Sequence, residues 1–227
     1  MHRTEEVIIM INFTQPPELM TGITDIINFF VSGIFLVYLL THRKKYSTPW
    51  IITMALLTFS NIAGGIVHTL DFPALTDRII WVFLSLILCM TSSMFVVCAE
   101  QEKKVPHLKR TYIIFTCLGF AGFAAMMVTS LFYDRYILVY VAYCAVVLIY
   151  ALVLFTITAI KRRRADLIPY IAGLVIQIPG GIIQAQRKLY FTVIWQFDFN
   201  SAYHSILTLT MVLIIIGYII NAKKIKE

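Results

Sequence analysis

The sequence has too few polar residues to cover a water-soluble globule. Charged residues make up only 14% of its 227 residues, whereas 59% are hydrophobic, and the mean hydropathy is +0.82. Soluble domains contain roughly 45–50% apolar residues. This balance excludes an ordinary soluble domain and predicts an integral, multi-pass membrane protein whose solvent is lipid.

Cysteine is scarce in the whole chain, and lysine is absent from its last apolar stretch. The chain has only four cysteines, all inside apolar stretches, and no pair of them has metal-ligand spacing, so we interpret them as small buried residues. The stretch 199–221 contains no lysine. A retinal-binding protein of the microbial rhodopsin type is therefore excluded, because it needs a lysine in its seventh helix.

Seven apolar stretches are long enough to cross a bilayer, which takes about 20 residues. They cover 19–40, 50–70, 76–98, 109–130, 134–160, 166–187 and 199–221. We therefore predict an all-α, seven-helix transmembrane domain over residues 19–221. A short outer segment, 1–18, precedes it, and a basic cytoplasmic tail, 222–227, follows it.

The distribution of lysine and arginine predicts the orientation. With the amino terminus outside, 14 of the 19 basic residues fall in the inner segments 41–49, 99–110, 161–165 and the tail. We therefore predict an outer amino terminus and a cytoplasmic carboxyl terminus. The net charge of +7 is then explained by contacts with anionic lipid headgroups. No aromatic residues interleave the run KRRR, so we predict no nucleic-acid partner.

In this topology, polar residues from five helices lie in the outer third of the membrane. They are Asp25, His68, Asp71, Asp77, Gln184, Asp198, Asn200 and His204. Polar groups inside a membrane are costly and often functional, although residues at helix ends can simply face the wet interface. Asn200 and His204 share a helix face because they are four residues apart. His68 can join them to form a metal site, but a lone histidine on an apolar helix is more often a hydrogen-bonded core residue.

Two stretches carry a resemblance to a known group: FSNIAGGIVHTLDFPALTDR, residues 59–78, and NSAYH, residues 200–204. They resemble the CREST superfamily of seven-helix membrane proteins, which includes alkaline ceramidases and the adiponectin and progestin receptors. That group has Ser-x-x-x-His on the second helix, an Asp about ten residues later, and His-x-x-x-His opening the seventh helix. His68, Asp77 and His204 match this pattern, whereas Gly64 replaces the serine and Asn200 replaces the first histidine of the last motif.

The resemblance implies a zinc site and, in the hydrolytic members, cleavage of a lipid amide. Carried over to this chain, it gives His68, His204 and Asn200 as metal ligands and Asp77 as the catalytic proton acceptor. Asp25, Asp71, Gln184 and Asp198 are the further candidates around the pocket. Asparagine is a poor zinc ligand. Either Asp198 or Asp71 therefore supplies the third ligand, or the chain has kept the fold without the metal.

The leading functional hypothesis is a membrane-embedded, zinc-dependent hydrolase of lipid amides or esters. Its partners are membrane lipids and a lipid substrate. The first alternative is a catalytically silent, lipid-binding or receptor-like protein. The second is a small-solute transporter with the helix plan of SWEET sugar transporters, because AGGIVH (63–68) and PGGIIQ (179–184) resemble an internal repeat. Close packing of helices at glycine pairs explains the same similarity.

Overall fold

The structure, a computed structural model, describes residues 13–42, 47–103, 107–130, 132, 137–193 and 195–224. Across these residues the fold is all-α apart from one small hairpin, and seven helices are long and apolar enough to cross a membrane. The helices are α1 (Pro16–Thr41), α2 (Thr48–Thr69), α3 (Ala74–Glu102), α4 (Leu108–Thr129), α5 (Ile137–Arg162), α6 (Ile168–Gln186) and α7 (Phe199–Lys224). The predictions of an all-α fold and of seven membrane-length helices are confirmed.

The helix ends follow local chemistry. Proline occupies the first turn of α1, α2 and α6, where its missing N–H costs no intrahelical hydrogen bond. The third helix continues to Glu102, a residue that the sequence analysis assigned to the following loop. Residues 1–12 of the predicted outer segment and residues 225–227 of the predicted tail lie outside the described residues.

The helices pack as a closed ring in the order α1, α2, α3, α5, α6, α7, with α4 outside the ring against α3 and α5. The first and last helices therefore meet. Glycines bring α1 and α2 close together: a Cβ on Gly22 would lie 3.1 Å from the Gly65 carbonyl oxygen, and a Cβ on Gly65 would lie 3.1 Å from Ile26 Cγ1. Small residues allow this backbone approach between membrane helices.

A buried aromatic cluster fills one end of the bundle, which we call the Trp50 end. Trp50 stacks on Tyr170 at a centroid distance of 5.0 Å and on Phe155 at 6.5 Å, and it meets Phe95 and Tyr218 edge-on. The cluster joins the starts of α2 and α6 to the last turns of α3, α5 and α7. These aromatic residues are buried, so they hold five helices together.

The same end holds a network of charged and polar side chains that was not predicted from the sequence. Arg164 donates to both carboxylate oxygens of Asp166 at 2.6 to 3.0 Å, to Glu102 at 2.9 Å and to Asn221 at 3.1 Å. Asn221 in turn donates to both oxygens of Glu102. The Asp166 carboxylate raises the pKa of the Arg164 guanidinium above its ordinary value. The network ties α3 and α7 to the short 3₁₀ turn Ala165–Leu167 between α5 and α6.

The opposite end of the bundle, which we call the His68 end, is covered by the hairpin between α6 and α7. Its strands, β1 (Tyr190–Thr192) and β2 (Gln196–Asp198), pair antiparallel, with Phe191 opposite Phe197. The indole N–H of Trp195 donates to the Pro16 carbonyl at 3.3 Å. The hairpin therefore rests on the first turn of α1.

Candidate metal centre

Three helices bring one carboxylate and two imidazoles together at the His68 end. Asp25 of α1, His68 of α2 and His204 of α7 each offer one ligand atom, and these atoms all lie within 4.8 Å of one another. The side chains are 2%, 6% and 14% exposed, respectively. The two imidazole centroids are 5.9 Å apart. We call these residues the three-residue group.

The unsatisfied atoms of this group suit a cation. Asp25 Oδ1 and His204 Nδ1 lie 2.5 Å apart, but their alignment is not that of a hydrogen bond. Within the part of the chain that the structure describes, Asp25 Oδ2 and His204 Nδ1 are buried and have no hydrogen-bond partner. Buried polar atoms without partners are costly, and a metal ion would satisfy them. Two imidazoles and one carboxylate are also a ligand set that catalytic zinc uses. The residues present therefore fit the metal.

Glu18 adds a carboxylate to the far side of His68. Its Oε1 atom pairs with His68 Nδ1, which leaves Nε2 as the ring nitrogen for the three-residue group. Metal-binding histidines almost always use their second nitrogen in this way, because the partner fixes the tautomer and the ring orientation. Glu18 was not predicted as a site residue, because it falls in the predicted outer segment, 1–18. The available signal was its spacing of seven residues from Asp25, which puts both on one face of α1.

A polar face on α1 positions α7. Thr21 donates to Asp198 Oδ1 at 3.1 Å, and Asn28 donates its amide N–H to the His204 backbone carbonyl at 3.1 Å. The Thr208 hydroxyl donates to the Asn28 carbonyl oxygen. These bonds lie on both sides of His204 along α7. The rotation and height of His204 are therefore set by α1.

Gly64, which replaces the serine of the CREST pattern, lies directly against Asp25. A Cβ at this position would be 2.6 Å from Asp25 Oδ2 and 3.2 Å from Asp25 Cγ. A serine on α2 and the observed placement of Asp25 are therefore sterically incompatible. In this chain the carboxylate from α1 takes the space that a side chain at position 64 would fill.

The third member of the group is Asp25, and neither Asp198 nor Asp71 takes that place. Asp198 is the N-cap of α7: its Oδ1 atom accepts the Ser201 backbone N–H at 2.8 Å, and the Ser201 hydroxyl accepts the Asp198 N–H at 2.8 Å. This reciprocal pairing satisfies the free donors of the first turn. Asp71 is exposed in the connection between α2 and α3.

The remaining predicted site residues lie around the group. Asp77 is half-buried in the first turn of α3, one turn before Trp81, whose ring meets His68 edge-on at 5.2 Å. Asn200 is half-buried in the first turn of α7, one turn before His204. Gln184 is half-buried near the end of α6.

The two glycine pairs that suggested a repeat have different surroundings. Gly64 and Gly65 both face side chains of α1, and Gly180 faces Ile206 and Tyr203 of α7. A Cβ on Gly181, in contrast, would meet nothing within 4 Å. The first pair is therefore explained by close packing of α1 against α2.

Over residues 20–223 the chain matches a family of unknown function (DUF6962), and it belongs to that family. The matched range contains Asp25, His68 and His204. No curated protein and no solved structure matches the chain.

Proposed function

We propose that the protein is a membrane-embedded, zinc-dependent hydrolase of lipid amides or esters. The observation that carries this proposal is the three-residue group, Asp25, His68 and His204, whose ligand atoms lie within 4.8 Å of one another. Zinc hydrolases use three protein ligands of these types and keep one position open for water or substrate. The buried atoms of Asp25 and His204 that have no hydrogen-bond partner among the described residues support occupation by a cation.

The surrounding residues have defined roles in this proposal. When bound, zinc supplies Lewis acidity, which acidifies water and polarises a carbonyl oxygen. Glu18 holds His68 with Nε2 turned inward, and Asn28 holds the backbone at His204. Asp77 is the proposed proton acceptor, since it lies on the same side of α3 as Trp81, the residue that contacts His68.

The location of the group supports a lipid substrate. It lies at one end of a bundle whose outer surface is apolar, so a substrate reaching it from the membrane carries acyl chains. We also propose that the amino terminus is outside and the carboxyl terminus is cytoplasmic, since 14 of 19 basic residues then lie inside. The group would then face the outer leaflet. Kinship with the CREST superfamily is part of the same proposal and rests on His68, Asp77 and His204.

A catalytically silent, lipid-binding or receptor-like protein is the second candidate. The observation that favours it is Gly64, because the serine of the CREST pattern is absent and its space is filled by Asp25. The low exposure of Asp25 and His68 also favours it, because a substrate needs access to the metal.

Metal content is the first test. Protein purified in detergent without chelator should contain about one zinc ion per chain, as expected for a single three-ligand site. Asp25→Ala, His68→Ala and His204→Ala should each lose the zinc. Matched controls are His42→Ala and Asp71→Ala, which change exposed residues outside the group and should keep it. Wild-type protein without metal, or equal loss in the controls, would contradict the site.

Hydrolysis is tested separately. Zinc-loaded protein in nanodiscs is incubated with lipid amides and esters, and released fatty acid is measured. Asp77→Asn should abolish release and keep the zinc, whereas Asp71→Asn should leave both unchanged. Zinc binding without release from any substrate would favour the silent candidate and overturn the hydrolase.

A further inference from the structure

A groove of about 410 Å³ lies between α5 and α6 at the Trp50 end. It faces outward, since Ile160 and Ile168 on its rim are 72% and 58% exposed. The wall of the groove is apolar, and the end of the groove next to the α5–α6 connection is basic. The apolar wall is formed by Ala159, Ile160, Ile168 and Ile171, and the basic end is formed by Arg163 and Arg164.

The charges at the end of the groove are asymmetric. Arg164 is committed to Asp166, Glu102 and Asn221. Lys161, Arg162 and Arg163 are exposed, and within the described ranges none of the three forms an ion pair with a carboxylate. Arg163 has a left-handed backbone, with φ of 50°, where the chain turns from α5 towards α6. The turn leaves an uncompensated guanidinium at the head of an apolar groove.

We propose that this groove binds one anionic phospholipid, with its phosphate at Arg163 and an acyl chain along the apolar wall. A small soluble anion has no apolar surface to bury against the isoleucine wall. A zwitterionic lipid has no net charge to balance that of the arginine. Guanidinium groups match phosphate oxygens through paired hydrogen bonds. Basic pockets between transmembrane helices suit anionic headgroups.

This site is independent of the metal centre. Trp50 and His68 lie 18 residues apart on α2, which separates the two ends of the bundle by about 27 Å at about 1.5 Å per residue. The lipid-site proposal therefore does not depend on the proposed hydrolase activity.

Native mass spectrometry of the full chain in a delipidating detergent tests the headgroup contact. Titration with dioleoylphosphatidylglycerol should give one saturable bound lipid, and dioleoylphosphatidylcholine should give none. Arg163→Gln should weaken binding about fivefold, the effect of one basic residue near an anionic surface. Arg162→Gln removes the same charge outside the groove and should change affinity less than twofold. Equal effects of the two variants would mean general charge attraction and would overturn the site.

Two further measurements test the acyl groove. Ile160→Ala should shorten the apolar wall and weaken binding while leaving the melting temperature unchanged, because Ile160 is 72% exposed, and Ile157→Ala, on the exposed face of the same helix but outside the groove, is its control. Glycerol 3-phosphate in excess should not displace the lipid. If it does, the groove is an anion site without an acyl component, and the proposal fails.

Discussion

Gly64→Ala tests the steric relation between α2 and the metal centre. The new Cβ would lie 2.6 Å from Asp25 Oδ2, closer than carbon and oxygen atoms can approach, and the Asp25 side chain is only 2% exposed. The carboxylate must therefore shift from its observed position, or the two helices must separate. Overpacking of this kind costs about 1–3 kcal/mol. Replacing glycine by alanine in a helix stabilises the helix by about 1 kcal/mol, which offsets part of this cost.

We expect Gly64→Ala to lower the free energy of unfolding by up to about 2 kcal/mol, the difference between these two effects. It should also weaken zinc binding at least about tenfold, because disturbing the groups that orient metal ligands has effects of that size. The matched control is Gly181→Ala, since a Cβ there meets nothing within 4 Å. That variant should be as stable as the wild type or more stable, and its zinc affinity should be unchanged.

The assay is a double-mutant cycle. The wild type, Gly64→Ala, Asp25→Ala and the double variant are unfolded reversibly in mixed micelles, and zinc affinity of the first two is measured by competition with a chelator. If the clash is with Asp25, the cost of Gly64→Ala disappears in the Asp25→Ala background, with a coupling energy of about 0.5–3 kcal/mol. An unchanged cost in that background would refute the reasoning, because the strain would then come from elsewhere.

The remaining predictions concern residues that hold the metal centre in place and the charged network at the Trp50 end. Glu18→Gln should lower zinc affinity about 10–100-fold without abolishing it, because it disturbs the orientation of His68 and leaves the three-residue group in place; chelator competition measures this. Asp198→Ala should lower the free energy of unfolding by about 1 kcal/mol, the usual value of a helix cap, with faster hydrogen exchange in the first turn of α7. Arg164→Ala should cost about 3–5 kcal/mol in the same unfolding assay, because it leaves two buried carboxylates without their cation. Arg162→Ala, an exposed control, should stay within about 0.5 kcal/mol of the wild type, and equal effects of the two arginine variants would contradict the network's role.

The sequence predicts the number of spans well because apolar length is a local property. The seventh stretch, for example, begins at the observed first residue of α7, Phe199. Helix ends depend on distant contacts. The third helix continues to Glu102 because Arg164 and Asn221, far away in the sequence, satisfy its carboxylate inside the bundle.

The candidate site was predictable in part for a related reason. Hydropathy gives the depth of a residue in the membrane but not the rotation of its helix. His68 and His204 were expected to approach each other, and their rings lie 5.9 Å apart. Asp25 was recognised as a pocket residue but not as the partner of both, because the inward face of α1 is fixed by its packing against Gly64 and Gly65. Glu18 precedes the apolar stretch and so escaped notice.

The ring closure between α1 and α7 has a consequence for biosynthesis. Asp25 leaves the ribosome early and His204 late. Helix α1 is therefore inserted into the bilayer before the five intervening helices and α7. Until the last helix arrives, the Asp25 side chain lacks its contact with His204. A chain truncated before α7 therefore lacks one side of the three-residue group and leaves Asp25 without its contact to His204.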